Sequence, residues 1–528
     1  MPASSRASSG DSPGTQEPEP GFPAARTIQT FRQRPVDTGI ADLTSTRRNG
    51  HFRYQPCEFK VARLWILISC LKEKRATAVF ETGGEVADVR PFRGVRYNQE
   101  AIGDVSLVIA PIYDVIDDDA RDAYYNKHPY NVIRLILNRA KKSDPSPEQP
   151  YIRAAEFFDR WLAQRVLIQD PVPAMYLYRQ RYLLESEYKE CTGIIARVRL
   201  VDFSEGVVLP HENILPKPVE DRTKLLEHAK TNFSSVYALY SDPSERLKDP
   251  ILTEMERFPL SQFQSADGIA QDIWGITDEK FIKSIVRFFE GKQLYIADGH
   301  HRYTTALEYS RKLREIGEIT DDDDPRNFLM MMIVEMENPG LSVLPVHRVV
   351  TTPDLDALKM LQGLGHWFAV AEIEVPKGPR SGQVFHLLND LEAAGEAGHV
   401  FGLFLKDGRF FILSWKTELD VEREVEGEGS SEYKNLDVTV LQKIVIEKVL
   451  GIPPDRESVE QNLKFTRDAI EAVRFVDSGQ ASMAFFVNAA KVEQVRHIAD
   501  NGEKMPQKST YFHPKPSSGV IMNRITEW

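Results

Sequence analysis

Residues 294–309 read LYIADGHHRYTTALEY, and the rest of the chain is best read outward from them. Leu294 to Ala297 is short and apolar, the length of a buried strand, and Asp298-Gly299 is a turn pair. From His300 or His301 the period becomes helical, with Tyr303, Ala306, Leu307 and Leu313 on one side. A helix start presents unpaired backbone N–H groups and the positive end of a dipole. Gly299 allows close approach to the backbone, and Arg302 adds a guanidinium. Together these predict a phosphate site built without a Walker loop, formed by Asp298, Gly299, His300, His301 and Arg302. The blander reading has Asp298 capping the helix and the histidines on the surface. Zinc is disfavoured, because adjacent helical side chains diverge by about 100° and no third ligand is suitably spaced. The HExxH, GxGxxG and Walker patterns are absent.

Two other stretches carry chemistry. In Val207 to Arg222 (VVLPHENILPKPVEDR) the prolines exclude a regular helix. His211, Glu212, Lys217, Asp221 and Arg222 are therefore expected on a constrained loop, ahead of a helix from Asp221 to Lys230. Met505 to Met522 (MPQKSTYFHPKPSSGVIM) is too polar for a core strand and too aromatic for a loose tail. It is expected either to dock or to close over a phosphate with Lys508, Ser509, Thr510, Tyr511 and Lys515.

Elsewhere strands and helices alternate without an internal repeat. Strands are expected at Val105 to Ala110, Met175 to Arg181, Thr192 to Leu200 and Phe328 to Val334. Helices are expected at Asp117 to Tyr125, Ile152 to Arg165 and Asp278 to Glu290, the last with Asp278 as N-cap. The acids Asp321 to Asp324 read as a solvated loop. After Val350 a second region begins, with a hairpin from Val400 to Trp415 turning at Asp407-Gly408. Glu422 to Glu432 reads as a surface loop, and helices follow at Val438 to Leu450, Arg467 to Val476 and Lys491 to Asn501. The fold class is α+β (mixed α/β). The expected division is an extension at 1–85, a phosphate-binding core at 86–350, and a C-terminal α+β region at 351–528 that ends in the closing segment.

The chain has 528 residues, room for roughly three domains at ~150 residues each. Lys and Arg total 66 against 78 Asp and Glu, a net charge of −12, so nucleic acid and anionic lipid are not expected partners. Cys57, Cys70 and Cys191 are too few for a disulfide scaffold. The longest apolar run, Leu64 to Cys70, falls far short of the ~20 residues that span a bilayer, and a cytoplasmic location is expected. Residues 1–50 are rich in Ser, Pro, Arg and Gly, a composition that does not offset chain entropy. Arg26, Arg32 and Arg34 fit a transit peptide, but Asp11, Glu17 and Glu19 do not. Gly83-Gly84-Glu85-Val86 can be encoded as GGA-GGU-GAG-GUG, a ribosome-binding sequence running into a start codon. The first 85 residues are accordingly expected to be upstream sequence, with a true start near Val86.

PFRGVRY (Pro91–Tyr97), APIYDVI (Ala110–Ile116), HPYNVIRL (His128–Leu135), LPHENILPKPVEDR, YIADGHHRYTTA and MPQKSTYFHPKPSSG together resemble the domain of unknown function family 1015. The motifs run in order from about Val89 to Val520, and Ile112 stands where the family usually shows a second proline. The DGHHR segment is similar to the phosphate motif of the ParB/sulfiredoxin superfamily, which includes ADP- and ATP-dependent free serine kinases. That resemblance implies that Asp298, Gly299, His300, His301 and Arg302 cradle nucleotide phosphates. It also implies an acidic base upstream, which no motif fixes. Glu212 is chosen here as the acidic residue of the constrained loop, with His211 beside it.

The expected activity is nucleotide-dependent phosphoryl transfer, with ATP or ADP, to a small hydroxyl substrate such as free serine, or the reverse from phosphoserine. Charge neutralisation by Arg302 and Lys217 suits such chemistry, with Lys508, Ser509 and Thr510 as further phosphate ligands. Asp298 is expected to hold Mg²⁺ or to orient a histidine. The alternatives are a non-catalytic, ParB-like nucleotide-binding regulator and a phosphoserine-type phosphohydrolase. The regulator predicts a basic recognition face, and the hydrolase predicts turnover without nucleotide.

Overall fold

The computed structural model describes residues 87–527, except 215 and 354 and the side chains of 216 and 217. The expectations for residues 1–85 and for a start at Val86 lie outside the described residues.

The larger sheet runs in the order Val208–Leu209, Leu294–Asp298, Val236–Tyr240, Phe328–Glu335, Glu187–Arg199, Met175–Leu184, Ala270–Ile276, Ser261–Gln264. Val89–Arg90 also pairs with Glu187–Arg199. Most neighbours are antiparallel, but Leu294–Asp298 runs parallel to Val208–Leu209, and Phe328–Glu335 parallel to Val236–Tyr240. Side chains alternate between the faces with the period of two that a strand imposes. Tyr176, Tyr178, Met330 and Met332 enter one core, and Met175, Leu177, Leu329, Met331 and Ile333 the other. Because both faces are covered, Phe328 to Val334 is apolar throughout.

The smaller sheet is antiparallel at every pairing, in the order Phe368–Ile373, Phe410–Trp415, Val400–Leu405, Met483–Phe486, His347–Val350, Leu463–Thr466. The hairpin expected at 400–415 is present, and Gly408 takes a φ of 90° at its turn. Phe401, Leu403 and Leu405 pack on one side, and Val400 and Phe404 on the other. The chain is thus a mixed α+β fold. Among the described residues no helix is long and apolar enough to cross a membrane.

The last segment returns across the larger unit. Tyr511–His513 pairs with Ser342–Leu344, Ser518 bridges Ala110, and Asn523–Arg524 pairs with Thr231–Asn232.

Two local expectations need correction. Val105 to Ala110 is not a strand: Val105–Leu107 is a 3-10 turn. The buried Asn131 amide donates to Leu107 O at 2.8 Å and Ile109 O at 3.1 Å, supplying what a neighbouring strand would have given. The prolines after Leu215 do not hold a loop open either; a helix spans Pro216–Ala229 and takes in Lys217, Asp221 and Arg222. Pro216 and Pro218 fall in its first turn, where the missing N–H groups have no intrahelical partner to lose.

Candidate functional site

Two parallel strands fix the site. Val208–Leu209 and Leu294–Asp298 point the same way, so the loop carrying His211 and Glu212 emerges beside the Asp298-Gly299 turn. The register slips between Ile296 and Asp298, a bulge of the kind that re-aims a side chain at a strand end. Gly299 then takes a φ of 93°, and the helix His300–Glu315 begins. The positive φ favours glycine, and a Cβ at 299 would meet the Arg302 guanidinium, Nη2 at 2.7 Å, and push it off its partners.

Asp298 is buried between two cations. It accepts from Arg302 Nη2 at 2.8 Å on one oxygen and from Lys515 Nζ on the other. Burial alone would raise this carboxyl, but Lys515 and Arg302 outweigh it and hold it below the ordinary value. The same pairing, together with Asp114, raises the Lys515 ammonium against its burial. Arg302 also donates through Nη1 to Ser235 O at 2.6 Å and Ser234 Oγ at 3.0 Å. Asp298 therefore does not fit as a Mg²⁺ ligand, since both of its oxygens already face cations. Among the described residues no group of three or more His, Cys, Asp or Glu is arranged to hold a metal ion.

His211 staples the site from behind. Its Nδ1 lies 2.7 Å from Ile296 O, an acceptor only, so Nδ1 carries the proton and Nε2 accepts from Thr510 Oγ1 at 3.0 Å. Its backbone N–H donates to His300 Nε2 at 3.2 Å, and its carbonyl accepts from Met505 N at 2.8 Å. At 1% exposure, burial pulls the His211 imidazole down to about 4, so it is neutral at pH 7. Burial lowers His300 as well, and lowers His301 by less.

Around the turn opens a cavity of about 570 Å³. Asp298, Gly299, His300, His301 and Arg302 form one wall with Glu212 and Asp114. Lys508, Thr510, Tyr511 and Lys515 line it from the C-terminal segment. Phe465, Thr466, Arg467, Asp468, Glu471 and Arg474 line it from the smaller sheet's edge strand Leu463–Thr466, the turn after it and the helix Ala469–Asp477. Glu212 is part-buried, and no donor among the described residues reaches its carboxylate. Burial pushes it up to about 7, with Lys508 and Lys515 opposing and Asp298 and Asp114 assisting.

Sequence-predicted residues thus converge here, but not all in the expected posture. His211 lies behind the wall, and Ser509 is buried with its hydroxyl donated to Pro506 O at 2.5 Å. The side chain of Lys217 lies outside the described residues. Asp114, Arg467, Glu471 and Arg474 were not singled out as site residues. Asp114 sits within the APIYDVI motif, which was a usable signal, whereas the 465–474 stretch carries none.

Fold and site define a mixed α+β protein whose polar cavity is walled by a strand–turn–helix. The chain belongs to the family Protein of unknown function (DUF1015), matched over residues 89–439. It is similar to a solved free serine kinase variant in complex with AMP, at 14% identity and TM-score 0.30 over 61% of this chain and 87% of that one. It is likewise similar to a conserved hypothetical protein from Pyrococcus furiosus (14% identity, TM-score 0.29, 61% and 93% covered). A third likeness is to SbnI with C-terminal truncation from Staphylococcus aureus (10% identity, TM-score 0.29, 61% and 84% covered). Likenesses this distant say nothing of what the chain does. No curated protein matches it.

Proposed function

We propose that the cavity is the site of a nucleotide-dependent phosphotransferase acting on a small hydroxyl compound, with free serine or phosphoserine as the first candidates. The observation that carries this reading is Glu212. Its carboxylate faces the cavity with no hydrogen-bond donor among the described residues, beside a helix start, and is pushed up to about 7. A base with that value is half ionised at neutral pH and strong enough to take a hydroxyl proton. Phosphoryl transfer otherwise needs placement and charge neutralisation, which a cavity with basic side chains provides. At about 570 Å³ the cavity is within the size range of small-molecule sites.

In the step itself Glu212 accepts the proton of the acceptor O–H. The acceptor oxygen forms a bond to the terminal phosphorus, and the bond from that phosphorus to the bridging oxygen breaks. The electron pair leaves on the nucleotide's new terminal phosphate. Asp298 acts as a positioning residue that holds Arg302 and Lys515, and His211 positions Glu212 through the loop they share.

Glu212→Gln keeps the size and hydrogen-bonding capacity of the side chain but cannot take a proton. It is expected to lower kcat by about 10²–10⁴-fold while leaving nucleotide affinity within about twofold. A coupled assay with calorimetry on both proteins checks this, and unchanged turnover removes Glu212 as the base. Turnover of phosphoserine with water alone would move the reading to a hydrolase.

A further inference from the structure

The two cations paired with Asp298 are already engaged. Arg302 spends both Nη atoms on Asp298, Ser234 and Ser235, and its remaining Nε is buried against Gly299 without a partner. Lys515 is tied to Asp298 and packed 4.6 Å over the Tyr511 ring. The charge of each is already matched by Asp298, with Asp114 also 3.9 Å from Lys515, so each has less to offer a phosphate than an unpaired cation.

The cations that line the cavity from the smaller sheet's side differ. Arg467 and Arg474 are exposed, line the same cavity, and have no carboxylate partner within ion-pair distance among the described residues. Arg467 lies 4.5 Å over the Tyr511 ring, on which Lys515 also packs. Arg474 and Glu471 are three apart in the helix Ala469–Asp477, so they share a face, and both reach the cavity. The nearby carboxylates are held locally: Asp468 accepts from Ile470 N and Glu471 N, and Glu471 accepts from Thr466 Oγ1. Lys508, also exposed on this cavity, has a φ of 56°.

We infer that the phosphate groups of the ligand are received by Arg467 and Arg474 from the smaller sheet's side and by Lys508 from the C-terminal segment, and that Arg302 is an internal strut. The inference rests on the phosphotransferase reading for the identity of the ligand, a nucleoside di- or triphosphate. For its placement it rests on which cations are free to bind an anion. Two guanidinium forks and an ammonium match a chain of two or three phosphates, each fork able to take two oxygens. The smaller sheet then has a defined task, since the turn after its edge strand carries Arg467 and the following helix carries Arg474.

The test is calorimetry of the full chain with ADP, AMP and pyrophosphate at fixed salt, comparing wild type with the double variant Arg467→Met, Arg474→Met and with Arg302→Met. The double variant is expected to lose about tenfold or more in ADP affinity, less for AMP, with its Tm unchanged, because neither arginine pairs with a carboxylate. Arg302→Met is expected to lower Tm. ADP affinity within about twofold of wild type in the double variant overturns the inference and leaves the phosphotransferase reading standing. So does an Arg302→Met protein that keeps its Tm and loses as much affinity as the double variant. If wild type binds pyrophosphate but neither nucleotide, the nucleotide reading fails, and loss of pyrophosphate binding in the double variant supports Arg467 and Arg474 as the phosphate site. Wild type binding none of the three overturns the inference.

Discussion

Asp298 shows most clearly how one side chain organises the site. Its carboxylate faces Arg302 four residues on and Lys515 from the far end of the chain, and it is nearly buried between them. Removing its charge leaves two cations without compensation, so Asp298→Asn is expected to lower stability by about 3–5 kcal/mol at pH 7. The folded carboxyl titrates below its unfolded value of 3.8, so its contribution is complete above that value and is lost as pH falls through the lower folded one. Denaturant unfolding of both proteins should therefore show a constant gap from pH 5 to 8 that closes below about pH 4. A gap that does not change with pH would mean the carboxylate is not ion-paired. The sequence made Asp298, Gly299 and Arg302 visible as a group, because strand, turn and helix signals fall within nine residues. It could not show that Asp298 consumes the charge of Arg302, since the second partner, Lys515, is 217 residues away.

At the scale of elements, periodicity was a good guide wherever both ends of an element carried local signals. Asp278 caps its helix as read, accepting from Phe281 N at 2.8 Å, and Asp117, read as the start of its helix, caps it from one residue before, accepting from Ala120 N at 2.8 Å. The failures came where an apolar run or a proline was read without its partners. Val105 to Ala110 has the composition of a strand, but Asn131, distant in sequence, takes its carbonyls. Pro216 and Pro218 break a helix in its interior and are neutral in its first turn, and composition alone does not separate these cases. Asn131 is fully buried and also accepts from Ile133 N at 2.9 Å. Asn131→Ala should therefore cost about 3 kcal/mol or more by leaving several buried backbone groups unpaired. Thermal unfolding checks this, and a Tm within about 1 °C of wild type would show that the segment re-pairs without it.

Over the whole molecule, the cavity is assembled chiefly from five stretches that meet only in the fold: 113–115, 212, the 297–302 turn, and the 465–474 and 508–515 stretches of the C-terminal half. Hydrophobic patterning separates the two sheets but carries no record of which loops face each other. Hence Arg467 and Arg474 were invisible beforehand, while the C-terminal segment stood out by its odd composition. The pH–rate profile of nucleotide-dependent phosphoryl transfer is the most direct measurement of the central claim, that Glu212 is a base poised near neutrality in a phosphotransferase site. Because the ionised carboxylate is the active form, kcat should be level above about pH 8 and fall roughly tenfold per unit below about pH 6, with its midpoint near 7, and Glu212→Gln should lose that limb. A wild-type rate that stays level from pH 5.5 to 8.5, or an unchanged acid limb in Glu212→Gln, would contradict it.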